Sequence, residues 1–554
     1  MALDMTPEEK EIGKANFDHV SEQLSRRGFM KTVAAGAAVV PVSAAAYFGY
    51  QYETMQKRPV KAAIIGTGDE GGVLVGEHNP EYLEFIACAD IRPTQRKRIF
   101  EGDSKPTSPR KGFNRIYGKD AASRIKVYVD YKEMLASEPE IEAVVIALPL
   151  HLHAPVAIDC LNAKKHVLCE KLMAWNINQC KEMIKAAERN DRILTIGHQR
   201  HYSLLYAQAV EVIKSGVLGD IKHIRALWHR NNTWPRVDKK GRIIPGELRD
   251  SWRKSIPEED AKALANELEK WDYKSMEELV RWRLYQRTGG GLMAELGSHQ
   301  LDACSIFLGK VHPLAVTGVG GKYFYTDDRE IEDHVFCTFE FPGPDYYVKD
   351  KNGNNTAKVK NKDDIVVVTY SSINTNSFEN YGECVMGTRG TLIVESEQTA
   401  MLWTERDPNK KDSGPARSTA ATVVTLNKNQ PILDSSSTTG PAEVAASGQT
   451  APGRTTGPVS RGYREEMEHF AYCIRRHQEA QSDEERRRWR REPRCNGYVA
   501  MADAIIALTA NQAMRKQQRI VFQDSWFDPT SSEVPDGDMI PTNAKGKRLD
   551  LASS

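Results

Sequence analysis

The stretch that decides the fold reads Lys61-Ala-Ala-Ile-Ile-Gly66-Thr-Gly68-Asp-Glu-Gly71-Gly72. A short apolar strand runs into the pattern G-x-G-x-x-G, in which Gly66 makes a tight turn and Gly68 lets the backbone approach a pyrophosphate. Gly71 lets the following helix pack close to the strand. A second apolar strand ends at Asp90, about 20 residues after the glycines, where such folds place the acid that binds an adenosine ribose. The stretch predicts a dinucleotide-binding domain with NAD as its cofactor.

The sequence around this stretch alternates between apolar strands and helical segments. Apolar runs recur within residues 59–197, at 62–65, 85–89, 144–147, 166–169 and 193–196. Alternating strands and helices over this length predict an α/β fold with a doubly wound parallel Rossmann sheet. We therefore assign residues 59–197 to this domain.

Residues 198–524 follow a different pattern. Their strand-like runs alternate apolar and polar residues, as in antiparallel strands with one exposed face, at 315–320, 335–341, 365–371, 382–386 and 391–395. We predict an α+β domain with an open, mainly antiparallel sheet, which binds substrate and is closed by helices at 463–474 and 497–513. Because an exposed sheet needs cover, we expect a homo-oligomer, either a dimer or a tetramer. The predicted insertions are 236–282, 342–363 and 404–462, and residues 528–554 are expected to form a disordered tail.

An export signal is predicted at the N-terminus. Ser25-Arg26-Arg27-Gly28-Phe29-Met30-Lys31 fits the twin-arginine pattern, an uncharged segment follows to residue 52, and Ala44-Ala45-Ala46 offers a cleavage site. Residues 1–52 are thus predicted to be a signal peptide read by the twin-arginine translocation machinery, or an N-terminal anchor. Cleavage is favoured because Ala, Gly, Ser and Pro partition weakly into lipid. We expect a periplasmic or other extracytoplasmic protein, which is membrane-anchored if the signal is not cleaved.

Composition restricts the function classes. The 554 residues include 76 basic and 75 acidic side chains, and a net charge of +1 gives no reason to expect a nucleic-acid partner. The nine cysteines contain no C-x-x-C pair, which favours buried free thiols over disulfides or a zinc site.

Four motifs resemble the Gfo/Idh/MocA family, which includes glucose–fructose oxidoreductase and inositol dehydrogenase. They are the glycine loop, Pro149-Leu-His-Leu-His153-Ala, Lys165-His-Val-Leu-Cys-Glu170-Lys171 and Gly289-Gly-Gly-Leu-Met-Ala-Glu295-Leu-Gly-Ser-His299-Gln-Leu-Asp302. The resemblance covers residues 59–200 and 286–310. The sequences of residues 228–234 and 282–285 are similar to those of an exported bacterial subgroup of this family.

The resemblance implies two groups of site residues. The cofactor-binding residues would be Gly66, Gly68, Gly71, Asp90, Pro149, His153, Glu170 and Lys171, and the catalytic residues Lys171, Glu295 and His299. Two positions depart from the family. Leu172 replaces a proline, which predicts a relaxed turn after Lys171, and Glu295 replaces an aspartate.

The same residues suit alcohol oxidation on chemical grounds, because that reaction needs a base for the hydroxyl proton. His299 fits this role, and Glu295 lies one helical turn earlier, where its charge would orient His299 and raise its pKa. Lys171 follows a strand end and can stabilise an alkoxide. The alternative interpretation is a core histidine and a surface lysine.

Further candidates are less specific. Arg200, Tyr206 and His229 follow strand ends and are candidate substrate residues, as is Asp302, the last residue of the fourth motif. The pairs His151/His153 and His198/His201 have no carboxylate or cysteine at a typical ligand spacing, so no metal site is predicted.

Three functions follow. The first is an exported oxidoreductase that transfers a hydride between a secondary alcohol of a sugar or polyol and a tightly bound NAD. Asp90 favours NAD over NADP, although Arg92 and Arg96 leave NADP open. The alternative is a redox-neutral glycoside hydrolase or lyase that works through a transient keto-sugar. The third is a non-catalytic binding protein on the same fold.

Overall fold

The computed structural model describes residues 5–33, 47–50, 55, 58–405, 460–535 and 540–548. Both predicted sheets are present, so the fold class is confirmed. A long helix, α1, spans Pro7–Val33 and precedes them.

The Rossmann domain contains a parallel sheet of order β3-β2-β1-β4-β5-β6. Its elements are β1 Val60–Ile65, α2 Asp69–Glu77, β2 Leu83–Ala89, α3 Pro93–Glu101, α4 Phe113–Tyr117, α5 Lys119–Ala122, β3 Lys126–Tyr128, α6 Tyr131–Ser137, β4 Ala143–Ile146, α7 His153–Asn162, β5 His166–Glu170, α8 Ile177–Arg189 and β6 Leu194–Gly197. The strand order reverses between β1 and β4, and ligands bind in the crevice at the carboxyl ends of the strands at such a point.

The second domain is built on an eight-stranded sheet of order β17-β16-β15-β7-β14-β11-β10-β18. Its elements are α9 Leu204–Lys214, β7 Ile221–His229, β8 Pro235–Val237, β9 Ile243–Leu248, α10 Glu258–Leu264, α11 Met276–Val280, α12 Ser298–Phe307, β10 Ala315–Gly321, β11 His334–Pro342, β12 Tyr347–Lys349, β13 Asn355–Val359, β14 Ile365–Ile373, β15 Tyr381–Gly387, β16 Gly390–Glu395, β17 Thr399–Thr404, α13 Tyr463–Glu479, α14 Asp483–Arg491, α15 Gly497–Lys516 and β18 Ile520–Val521. Strands β7 and β14 pair in parallel and the other neighbours are antiparallel. Helices α12 and α15 pack against this sheet.

Several expectations about the later chain are met and others are not. The insertion at 342–363 forms the predicted hairpin β12–β13, and all nine cysteines are buried free thiols. Helix α13 does not close the second domain. Its apolar residues Met467, Phe470 and Ile474 pack into the core that contains the Rossmann strands. The insertion at 404–462 lies largely outside the described residues.

The predicted disorder of the tail is wrong for its described part. The buried Lys181 ammonium donates hydrogen bonds to the backbone oxygens of Ser531, at 2.9 Å, and Glu533, at 2.7 Å. A buried ammonium must be satisfied by hydrogen bonds, so this contact fixes the start of the tail.

Helix α1 packs against the edge strand β17. Phe17 is 2% exposed within the main core, and Asn16 Nδ2 donates a 3.1 Å hydrogen bond to Leu402 O. An edge strand covered in this way is protected from pairing with other chains. The residues of the twin-arginine pattern lie in this helix, whereas 34–46, with the predicted cleavage site, lie outside the described residues. Within the parts of the chain that are described, no helix has the length and apolarity to cross a bilayer.

The packing of α1 predicts that its residues stabilise the full-length chain. Phe17→Ala should lower the free energy of unfolding by about 3–5 kcal/mol, because it leaves a cavity in the core. The matched change Ile12→Ala lies on the same helix at a position that is 42% exposed. It should change the free energy by no more than about 0.5 kcal/mol. Urea unfolding measures both, and equal effects would contradict the docking of α1.

Candidate active site

A cavity of about 630 Å³ lies at the carboxyl ends of the Rossmann strands, beneath the insertion at 236–282. Seven of the predicted site residues line it: Gly66, Gly68, Asp90, Pro149, Glu170, Lys171 and Glu295. The other predicted site residues do not line this cavity.

The glycine turn fits a dinucleotide. Gly66 has φ +89°, and a Cβ on Gly71 would lie 2.1 Å from Gly66 O, so both positions require glycine. A Cβ on Gly68 would meet no atom within 4 Å, which leaves its backbone open to the cavity. The N-terminus of α2 follows directly and provides amide groups for phosphate.

The end of β2 favours NAD over NADP. The Asp90 carboxylate accepts hydrogen bonds from Thr67 N and Arg92 N, both at 2.8 Å. Arg92 Nε donates to Asp260 Oδ2 at 2.9 Å, and Arg96 Nη1 donates to the Asp90 backbone oxygen at 2.6 Å. Both guanidinium groups that could bind a 2′-phosphate therefore already have protein partners, and a carboxylate stands beside them.

His153 positions the loops around the cofactor site and does not line the cavity. Its Nδ1 lies 2.8 Å from Leu172 O, and its Nε2 lies 2.8 Å from Leu148 O. The ring thus joins the Pro149 loop to the turn that carries Lys171. The Lys171–Leu172 peptide is cis, so the expectation of a relaxed turn is wrong.

Lys171 and Glu295 meet at the inner end of the cavity. Lys171 Nζ donates to the Glu295 backbone oxygen at 3.2 Å and lies 3.8 Å from Glu295 Oε2. Arg283, which no sequence motif indicated, donates from Nε to Glu295 Oε2 at 2.7 Å. The two cations hold the pKa of the buried Glu295 carboxyl below its usual value, although burial acts to raise it. The carboxylate is therefore charged and fixed between them.

His299 departs from the prediction. Glu295 lies in a π-helical turn, Met293–Gly297, which widens the helix just before α12, and its carboxylate turns to Arg283. Burial lowers the pKa of His299 well below its ordinary value, and the Lys171 charge lowers it further. The expectation that Glu295 raises this pKa above its ordinary value is thus wrong, because burial and the Lys171 charge outweigh it. His299 Nε2 is buried without a hydrogen-bond partner.

The candidate substrate residues lie away from the cavity. Arg200 is buried and binds Glu397 Oε1 at 2.7 Å and Glu383 Oε1 at 2.8 Å, while Tyr206 donates to Glu383 Oε2 at 2.8 Å. These contacts form a structural ion network in the core. Arg200 also donates to His299 O at 2.7 Å and so holds the helix that carries His299.

The other two candidate substrate residues also have protein partners. His229 contacts Phe378 O and Ser371 Oγ, at 2.8 and 2.9 Å. Asp302 lies 2.6 Å from His201 Nε2.

A buried glutamate pair completes the site. Glu70, inside the glycine stretch, and Glu170, at the end of β5, both line the cavity. Burial raises the pKa of both carboxyls, and the Glu70 charge raises that of Glu170 further. Glu170 Oε1 is buried without a hydrogen-bond partner, which suits a group that binds a ribose hydroxyl. Glu70 was visible in the sequence, but nothing in the pattern placed it beside Glu170.

Comparison with known proteins agrees with this geometry. Residues 60–198 match the GFO_IDH_MocA oxidoreductase family with its NAD-binding Rossmann fold, and residues 269–349 match the GFO/IDH/MocA C-terminal domain. The chain thus contains two segments that match the Gfo/Idh/MocA oxidoreductase family. It is an enzyme of the NAD-binding type.

Three relatives show how far the likeness extends. An uncharacterized oxidoreductase of Schizosaccharomyces pombe is 24% identical over 364 residues, 65% of this chain and 77% of the relative. An inositol 2-dehydrogenase of Rubrobacter xylanophilus is 32% identical over 200 residues, 34% of this chain and 50% of the relative. A 2,7-anhydro-N-acetylneuraminate hydratase of Escherichia coli is 26% identical over 212 residues, 38% of this chain and 45% of the relative. The chain thus spans about half the length of the last two.

A solved structure supports the fold. The inositol dehydrogenase homolog of Azotobacter vinelandii, complexed with NADH and myo-inositol, superposes with a TM-score of 0.54. The match covers 84% of this oxidoreductase and 99% of that chain at 14% identity. At this identity the likeness establishes a shared fold.

The lowered pKa of His299 determines the pH dependence that we expect of this oxidoreductase. A base must be neutral to accept the alcohol proton, so kcat/KM for oxidation should stay level as pH falls to about 6.5, the ordinary histidine pKa, and decline only below it. Glu295→Gln removes a charge that offsets Lys171 and Arg283 and should move this decline to still lower pH. Glu295→Asp keeps the charge and is the control. A shift to higher pH in the glutamine variant would contradict this electrostatic argument.

Proposed function

We propose that this chain is an exported NAD-dependent oxidoreductase that oxidises a secondary alcohol of a sugar or polyol. The observation that carries the proposal is the position of Lys171. It lies at the end of β5, on the wall of the glycine-turn cavity, with its ammonium beside Glu295. The inositol 2-dehydrogenase relative supports a polyol substrate.

Each side chain at the proposed active site has its own role in the reaction. Bound NAD supplies the hydride acceptor. Lys171 holds the substrate oxygen and stabilises the charge that develops on it as its proton leaves. Its partner Glu295, which Arg283 also binds, holds the ammonium in place, and His299, neutral because of its lowered pKa, takes the proton.

The role of Lys171 is tested by Lys171→Met, which keeps the length of the side chain and removes the charge. Turnover of a polyol such as myo-inositol should fall by about 10³-fold, the typical cost of losing one oxyanion donor. Affinity for NAD, measured by calorimetry, should change little, because the glycine turn and Asp90 remain. Retained turnover would refute the mechanism. Loss of NAD binding would instead show that Lys171 serves the cofactor.

The insertion at 236–282 supports a tightly held cofactor. Its helix α10 is fixed to the Rossmann domain by Asp260, which accepts from Arg92 Nε at 2.9 Å and from Thr94 Oγ1 at 2.7 Å. Lys254, also in the insertion, forms an ion pair with Asp69. The insertion residues Trp271 and Tyr273 line the cavity. The insertion would therefore have to separate from the Rossmann domain before NAD could leave, which suits an enzyme exported with its cofactor bound.

We expect Asp260→Asn to weaken the attachment of the insertion at 236–282 to the Rossmann domain. Dissociation of NAD should accelerate about tenfold or more, since the buried Arg92 loses its charged partner. The control is Glu258→Gln on the same helix, where the exposed carboxylate pairs only with Lys262 among its described ion-pair partners. Stopped-flow displacement of NAD measures both rates. Equal rates in the two variants would mean that the insertion does not retain the cofactor.

Export rests on the twin-arginine pattern and the uncharged segment after it. The proposal includes the twin-arginine translocation machinery as a partner, an extracytoplasmic location and a homo-oligomer. The docking of α1 favours retention of the N-terminal segment, because cleavage after residue 46 would remove Phe17 from the core. N-terminal sequencing of protein from the extracytoplasmic fraction tests this directly.

A redox-neutral lyase or hydrolase is the second candidate. The buried carboxyls Glu70 and Glu170, whose pKa values are raised, could exchange protons with a sugar, and one relative is a hydratase. The two functions separate when the purified protein receives a glycoside without added NAD. Released sugar would favour the lyase, whereas a keto-sugar would favour the dehydrogenase.

A further inference from the structure

A second cluster of reactive side chains lies in the core between the two domains, and nothing in the proposed mechanism uses it. It consists of His198, His201, Asp302, Cys495 and Asp503, all at least 95% buried. The histidines follow strand β6, Asp302 lies on α12, and Cys495 and Asp503 belong to the segment that enters and forms α15. Three distant parts of the chain thus meet at one point.

The donor atoms are close enough to share an ion. They form two triads, His198–Asp302–Asp503 and His201–Cys495–Asp503, and in each the three donor atoms lie within 4.8 Å of one another. His198 Nδ1 is 3.7 Å from Asp302 Oδ2, and His201 Nε2 is 2.6 Å from Asp302 Oδ1. Donors on a tetrahedral zinc ion are separated by roughly 3.3–3.8 Å, given the usual bond lengths. Asp503 is common to both triads.

The cluster also contains buried polar atoms without partners. Neither ring nitrogen of His198 has a hydrogen bond, and the same holds for Asp302 Oδ2 and Asp503 Oδ2. Buried polar atoms in native proteins are nearly always satisfied, so His198 Nδ1, which lies 3.7 Å from Asp302 Oδ2 and has no hydrogen bond, points to a missing ligand. The spacing argument against a metal site does not hold in three dimensions, because the carboxylates and the thiol come from other helices.

Charge identifies the ligand as a cation. Asp302 and Asp503 bring two carboxyl groups together in the core, where a buried carboxylate needs a cation as its partner. A divalent ion would balance both charges and satisfy the histidine nitrogens at the same time. The mixture of imidazole, carboxylate and thiolate donors suits zinc and related transition metals, whereas calcium and magnesium take oxygen ligands.

We propose that Asp503 binds one divalent transition-metal ion of the zinc class, whose other three ligands are drawn from His198, His201, Asp302 and Cys495. The ion would join the end of the Rossmann sheet to helices α12 and α15. Because Asp302 lies one turn after His299, it would also fix the helix that carries the proposed base. This site does not depend on the proposed function of the chain.

The first test measures metal in the full chain, purified without a histidine tag and dialysed against buffer treated with a chelating resin. Mass spectrometry of the metals should find about one zinc-class ion per chain. Asp503→Asn should lose the ion, while Asp483→Asn, an exposed aspartate on α14, should keep it. A chelator should lower the thermal midpoint of the wild type and not that of Asp503→Asn. Equal metal content in the two variants would overturn the proposal.

The second test needs no variant at an acidic ligand and so covers the case in which Asp503→Asn does not fold. The metal is removed from the wild type with a chelator, and Co²⁺ is added while circular dichroism confirms that the chain stays folded. Tetrahedral cobalt should give intense visible bands together with a near-ultraviolet thiolate band, and Cys495→Ser should lose the thiolate band alone. A folded wild-type chain that contains no metal and shows no cobalt bands would refute the site.

Discussion

The ion pair between Lys171 and Glu295 joins the Rossmann domain to the second domain at the wall of the cavity. Lys171 ends a strand of the Rossmann sheet, and Glu295 precedes the long buried helix of the second domain. Both side chains are nearly excluded from water, so neither charge is stable there alone. Arg283 supplies a second cation, so the carboxylate is charged and the ammonium cannot turn away. The geometry of this part of the cavity thus depends on these three charges.

The same charges explain the state of His299. Burial and the charge of Lys171 both disfavour the cationic form of His299. The Glu295 carboxylate does not reverse this, because Arg283 binds it. The base that we propose, His299, is therefore neutral and is under the influence of a fixed positive charge. That pairing suits removal of a proton from an alcohol, since the ammonium stabilises the oxygen anion that the base creates.

The sequence predicted what depends on short stretches of chain. The glycine turn, the acid at the end of β2 and the alternation of the strands are local, and the structure contains them. Glu170 and Lys171 were also correctly placed at a strand end. Arg200 was read as a substrate residue because it too follows a strand. Its partners Glu383 and Glu397 lie nearly two hundred residues further on, and no pattern indicated that they would bury it.

Helix α13 and the residues around His198 show the same limit. An amphipathic pattern identifies an apolar face but not the surface on which it packs, so α13 was assigned to the wrong domain. A ligand spacing identifies a metal site only when the ligands come from one segment. Here, three segments separated by about a hundred residues or more supply them. Electrostatic balance in the core determines which groups come together, and that balance can be evaluated only once the packing is known.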